Sequence, residues 1–280
     1  ATIATVAINT ILAPIFIFMF DWGIRGAAIA TVSAQVIALL WQLKQFNNAN
    51  ELLHFRRGIF RLKRKIVFDS LAIGMSPFLM NLAACLIVIL INQGLKKYGG
   101  DLAIGAFGIV NRLVFIVVMI VMGLNQGMQP IAGYNFGAKL YDRVNKVLKL
   151  TIIYATCVTT FGFLVGMLAP NLVVGIFTSD AELTELSATG LRITVMFFPI
   201  IGFQMVTSNF FQSIGMAGKA IFLSLTRQML ILLPCLLILP HFFGVAGVWY
   251  SMPVSDLLAS LIALVMLVYQ FRKFKTAAAH

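Results

Sequence analysis

Eight apolar runs, each long enough to cross a bilayer, constrain this chain more than any other feature of its sequence. A spanning helix needs roughly 20 mostly apolar residues. Stretches near 1–20, 24–43, 66–95, 103–134, 150–170, 188–213, 220–240 and 245–271 meet that need. Strands of a membrane barrel would instead alternate over about 10 residues. Composition agrees: 60% of the 280 residues are hydrophobic and 11% charged, whereas about a quarter of a soluble domain is charged. The expected class is therefore all-α, a polytopic membrane protein. The first run opens at Ala1 with no Met and no basic flank, unlike a signal peptide. The expectation is a chain cut inside a membrane helix, with 276–280 set aside as a tail or cloning scar.

A net charge of +12 raises nucleic acid as a partner, but the charges sit at the ends of apolar runs rather than on one face. Alternate loops hold Lys44, Arg56, Arg57, Arg61, Lys63, Arg64 and Lys65, then Lys139, Arg143, Lys146 and Lys149, then Lys219 and Arg227, then Arg272, Lys273 and Lys275. The opposite loops hold Arg25, Lys96 and Lys97. By the positive-inside rule the sixteen mark the cytoplasmic side, the C-terminus included. One outer loop carries Asp180, Glu182 and Glu185, and Ser179 with Glu182 has capping-box spacing for a helix start. Cys85, Cys157 and Cys235 lie far apart inside apolar runs. They form no metal or redox motif and read as small buried hydrophobes.

The chain also repeats itself. Gly23-Ile-Arg-Gly26 and Gly244-Val-Ala-Gly247 both sit in short outer turns after proline-bearing spans, and both glycine pairs are 221 residues apart. Entry into the bilayer in the same direction makes this a parallel repeat, as in some secondary transporters. Residues 66–275 then form one lobe of six membrane helices. Residues 1–43 are the last two helices of a preceding lobe, and roughly four further spans are missing upstream. Between them, 44–65 is a basic cytoplasmic linker. Its Leu52, Leu53, Phe55, Ile59, Phe60 and Leu62 among Arg and Lys suit a helix lying on the anionic inner leaflet.

Polar side chains at bilayer depth are costly and mark cavities or helix contacts. In 66–95, Pro77, Asn81, Cys85, Val88 and Asn92 share one helix face. In 103–134, Asn111, Asn125 and Gln129 form a row, with Arg112 and Gln126 on the adjoining face. In 188–213, Gln204, Ser208 and Gln212 form a third row beside Thr207 and Asn209. Asp256 lies about 11 residues, roughly 16 Å, into the last span. Asp69 and Arg192 are close enough to span ends to snorkel. One reading is a shared cavity faced by Asn81, Asn111, Asn125, Gln129 and Gln204; the bland one is interhelical hydrogen bonding. Asp256 is either a carboxylate that exchanges a proton during coupling, or a structural group bonded to a neighbouring helix or to Arg112. Pro77, Pro130, Pro199 and Pro253 are expected bend points. Thirteen Met and 24 Phe suit varied apolar ligands. There is no nucleophile–base pair, nucleotide loop or metal motif. No catalytic residue, metal or cofactor is expected.

The segment Gly127-Met-Gln-Pro-Ile-Ala-Gly-Tyr-Asn-Phe-Gly-Ala-Lys139 resembles the signature of the multidrug and toxic compound extrusion (MATE) family. Three further stretches agree in order and spacing. They are Asn9 to Phe18 with Gly23 to Thr31, Phe211 to Gly215 with Arg227-Gln228, and Gly244 to Trp249 with Pro253 and Asp256. The likeness is to the bacterial multidrug-exporter branch. The resemblance implies twelve spans in two lobes around a V-shaped cavity, in the bacterial inner membrane. It implies export of organic cations in antiport with sodium ions or protons, with lipid and the missing N-lobe as partners. Two positions depart from the family. Ala13 stands where an Asp often precedes Pro14, and Ala83-Ala84-Cys85 stand where some relatives carry an acidic cation ligand. Coupling is then expected from the missing lobe, with Asp256 a second candidate. The competing readings are a lipid-linked saccharide flippase of the same superfamily, which needs a cavity rich in Arg and Lys, and a non-transporting membrane scaffold.

Overall fold

The structure, a computed structural model, describes residues 2–48 and 63–278, nearly all helical and with no strand among them. It divides into two compact units, Ala1–Leu71 and Ala72–His280. Most of the expected inner-leaflet linker, 49–62, lies outside the described residues.

In the first unit α1 (Thr2–Pro14) passes into a π-helical segment, Ile15–Met19, and turns into α2 (Gly23–Phe46). Pro14 has no N–H to donate, and the wider π winding begins directly after it. The turn needs a positive φ, +50° at Gly23, which glycine adopts without a Cβ clash. Phe16 stacks on Trp22 across the turn, ring centroids 5.6 Å apart. The buried face of α2 is Gly26, Ala30, Ala34 and Ala38. Small residues at every fourth position allow close backbone packing where no aqueous hydrophobic effect drives it. Asn9 Nδ2 donates to Thr31 Oγ1 at 3.2 Å across the pair.

The long run α3 (Arg64–Gly137), which lies in the second unit from Ala72 onward, breaks at Gly100, φ +68° and ψ −163°. A 60-residue apolar run is about three times what one crossing needs, enough for two crossings and the turn between them. Ile91 and Leu95 before the break and Ala103 and Phe107 after it share one core cluster, so the run folds back as two arms, 64–99 and 101–137. Then follow α4 (Tyr141–Leu168), the short α5 (Pro170–Val174), α6 (Ala181–Val195) and α7 (Phe198–Ser213). The last hairpin is α8 (Ala217–Leu225), a π-helical segment Thr226–Leu232 and α9 (Leu233–Phe243), then α10 (Val245–Ala278). α6 and α7 meet at a bend of 54°, with Pro199 in the first turn of α7. Helical winding continues through Pro77, Pro130 and Pro253, and of the four expected bend points Pro199 adjoins the 54° bend.

The outer surface is apolar: Phe161, Leu168 and Val265 are among many large exposed side chains. That pattern suits lipid as solvent and would be a liability in water. It also corrects the cysteine reading, since Cys85 and Cys157 are exposed and Cys235 is half-buried. In a membrane an apolar side chain is as well placed against lipid as in the core. A second correction concerns α6. Its cap is Asp180, whose Oδ1 accepts from Leu183 N at 2.9 Å, one residue beyond the Ser179 expected. The carboxylate there also complements the positive helix end.

Two apolar clusters hold the second unit together. One gathers Leu95, Phe107, Leu191, Phe198, Leu236 and Trp249. The other gathers Val121, Leu148, Val206, Phe211, Leu223 and Leu267. Along the helices the first cluster lies towards the acidic loop around 178–185 and the second towards the ends flanked by basic residues.

Candidate functional site

Between these clusters lies a cavity of about 330 Å³. On α10 the first cluster reaches Trp249 and the second starts at Ala263; the cavity takes Met252, Ser255 and Asp256 between them. On α7 it takes Ile201 and Met205, and on the second arm of α3 it takes Asn111 to Met122. The cavity therefore occupies the middle depth of the bundle. Its walls are mostly aliphatic, with Phe107 and Phe198 from two of the helices.

The polar groups in this apolar wall are few. Thr159 and Thr194 donate to carbonyls one turn back, Ala155 O and Gly190 O, and Ser255 donates to Met252 O. Those hydroxyls are already engaged. Asn111, Arg227, Gln228 and Asp256 remain to face a ligand.

Asp256 and Arg227 form the central feature. Nε of Arg227 stands 2.9 Å from Oδ1 of Asp256, with the Asp256 side chain 6% exposed and the Arg227 side chain 33%. The pair is close without being aligned as a hydrogen bond. Arg227 rides on the π-helical segment, which ends just before Pro234 and its missing N–H. On the same segment Thr226 Oγ1 and Gln228 Oε1 are buried acceptors without a hydrogen-bond partner among the described residues.

The ten sequence candidates separate on this geometry. Asn111 and Asp256 line the cavity. Asn125 and Gln204 are buried, at 4% and 3%, but not among its lining residues. Neither amide atom of Asn125 has a hydrogen-bond partner among the described residues, nor has Oε1 of Gln204. Asn92 and Gln129 are half-buried, while Asn81, Arg112, Gln126 and Gln212 are exposed, all six outside the cavity lining. The single chamber expected for five amides is thus lined by Asn111 alone of the five. A helix row shows that residues share a face, and the rotation of that helix decides what the face meets.

Two readings are corrected. Arg227 belongs within a span rather than to the cytoplasmic loop charges, and the partner of Asp256 is Arg227, not Arg112. The missed signal was available: Arg227 lies seven residues inside the run 220–240. An Arg at that depth needs a partner as much as Arg112 does.

Known proteins share both the sequence pattern and the helical arrangement. The MatE family pattern matches residues 72–237. The chain belongs to the MatE family. Its 274 aligned residues are 29% identical to the multidrug export protein MepA of Staphylococcus aureus (strain MSSA476), covering 96% of this chain and 59% of that protein. MepA of Staphylococcus saprophyticus is 26% identical over 270 residues, with the same coverage. The MATE multidrug transporter DinF-BH, solved with a bound ligand, superposes with a TM-score of 0.84 at 35% identity, over 97% of this chain and 61% of that one. An outward-facing MATE family transporter of the MOP superfamily shares the fold, with a TM-score of 0.85 at 22% identity, over 98% and 62%. The chain spans about three-fifths of the length of these MatE relatives. Their names are those of exporters and transporters, not of enzymes.

Proposed function

We propose that this MatE chain is the C-terminal part of a secondary multidrug exporter of the bacterial inner membrane, which moves organic cations outward in antiport with sodium ions or protons. In this reading residues 1–43 end an N-lobe, 44–65 link the lobes in the cytoplasm, and 66–275 are the C-lobe. The C-terminus is cytoplasmic, since fifteen basic loop residues against three still favour that side once Arg227 is withdrawn.

The observation that carries the reading is a mid-depth apolar cavity whose lining contains one carboxylate, Asp256, paired with Arg227 and open to a cation that frees it from that partner. Apolar walls suit varied drugs, and a carboxylate in low dielectric attracts a cation far more strongly than it would in water. Asn111 offers a neutral hydrogen-bonding group from the second arm of α3. The exposed Arg112, Gln126 and Gln212 are available to the other lobe of the intact transporter. Similarity to proteins named multidrug export proteins, and to a MATE multidrug transporter solved with a bound ligand, supports the same assignment. A flippase for diphosphate headgroups would need free cations in its cavity. Here Arg227 is neutralised by Asp256, and Arg112 lies outside the lining.

The test is flux in everted vesicles of the intact protein, with sodium and proton gradients imposed separately. One of them drives organic-cation uptake into the vesicles, and Asp256→Asn loses that response at equal expression. Unchanged transport in Asp256→Asn would remove Asp256 from the mechanism.

A further inference from the structure

We infer that Arg227 is a tethered competitor for the cation site at Asp256: the guanidinium occupies the carboxylate at rest, and an organic cation entering the cavity must displace it. The inference rests on the transport reading for its ligand class, and on the local geometry for everything else.

Three features of the geometry point to it. The first is reach. Arg227 and Asp256 come from different helices and meet at the wall of a cavity of about 330 Å³, so a ligand inside has access to both charges. The second is imbalance. The Asp256 side chain is 6% exposed and the Arg227 side chain 33%, so the carboxylate is enclosed by the protein while part of the arginine side chain borders the open cavity. The third is an alternative berth. A displaced guanidinium still needs acceptors, because an unpaired buried cation is costly. Gln228 Oε1 and Thr226 Oγ1, its two chain neighbours, are buried acceptors without a partner among the described residues. Both lie on the same π-helical segment as Arg227, a winding often found at functional sites, and Gln228 lines the same cavity as the guanidinium.

The consequence concerns selectivity. With the pair closed, the cavity is electrically neutral and a neutral apolar molecule meets no charge. A cation gains the Asp256 carboxylate only by freeing Arg227, so weak or strongly hydrated cations fail to displace it. Apparent affinity is lowered by the fraction of time the carboxylate is free.

The probe is radiolabelled tetraphenylphosphonium, a permanently charged, non-titrating organic cation, bound at fixed pH to the intact protein in nanodiscs. Arg227→Gln is expected to bind it about tenfold more tightly than wild type, the factor for a carboxylate free about one-tenth of the time. Asp256→Asn binds weakly, and adding Arg227→Gln to it changes nothing further. Should Arg227→Gln fold poorly, Gln228→Leu provides the independent arm. Losing the alternative acceptor holds the pair closed and weakens binding several-fold, an effect absent in the Asp256→Asn background. Equal or weaker binding by folded Arg227→Gln overturns the inference, as does a Gln228→Leu effect that persists without Asp256, or no binding by any variant. Gradient-driven flux is measured separately. Loss of the transport reading with tighter binding in Arg227→Gln, and the reverse combination, are therefore distinct results.

Discussion

The first hairpin, α1 with α2, and the last, α8 to α10, share one hinge and differ in what they hold between their helices. Gly23 and Gly244, 221 residues apart, take φ +50° and +56°. Gly26 and Gly247, at the same offset, each bring a helix start against the preceding helix: an added Cβ would lie under 3.0 Å from Phe16 O and from Leu239 O respectively. Each hairpin also has a π-helical segment next to a proline, Pro14 or Pro234. Inside, the first is zipped by Gly26, Ala30, Ala34 and Ala38 with one neutral hydrogen bond, Asn9 to Thr31. The last carries the Arg227–Asp256 ion pair; at the 221-residue offset the first has Val6 and Gln35 there. The hinge is a backbone requirement that glycine meets without a Cβ clash, so it repeats. The contents of the hairpin are side chains free to diverge, and function collects there.

Breaking the ion pair has the largest expected effect. Arg227→Met leaves a buried carboxylate uncompensated and costs about 4 kcal/mol, read as a fall in melting temperature in detergent. The double variant Arg227→Met/Asp256→Asn recovers most of that loss. Gln35→Ala, its counterpart in the first hairpin, shifts stability by less than about 0.5 kcal/mol. If the two hairpins respond alike, the contrast between them fails.

The shared hinge predicts the next size of effect. Gly26→Ala and Gly247→Ala each force backbone apart and cost about 3 kcal/mol, with similar melting shifts. Tolerance at one glycine and not the other would mean that the two turns only look alike.

Overpacking the stripe in the first hairpin comes third. Ala34→Leu, at a fully buried position, costs about 2 kcal/mol. Cysteine crosslinking between α1 and α2 should then lose yield. The smallest effect is at Asn9→Ala, which removes one interhelical hydrogen bond worth about 0.6 kcal/mol in a membrane. A larger loss would place that bond closer in importance to the ion pair.

What the sequence alone determined is what runs along single helices. Apolar run length set the spans, because a bilayer has a fixed thickness. The Gly-x-x-Gly pairs set the hinges, because the first glycine takes the positive φ at no steric cost and the second leaves no room for a Cβ. The segment 127–139 carried the family resemblance. Partners across helices were decided by the tertiary structure. Asn111 and Asn125 share a helical row, yet only Asn111 reaches the cavity while Asn125 is buried outside its lining. Arg227 was placed among loop charges, and it meets Asp256 inside the bundle. The physical reason is angular. Each residue turns the helix by about 100°, so one extra residue in a π-helical segment swings every side chain before it onto a different face. Apolar periodicity fixes how much of a helix is buried, and packing against its neighbours fixes which charge each buried charge will find.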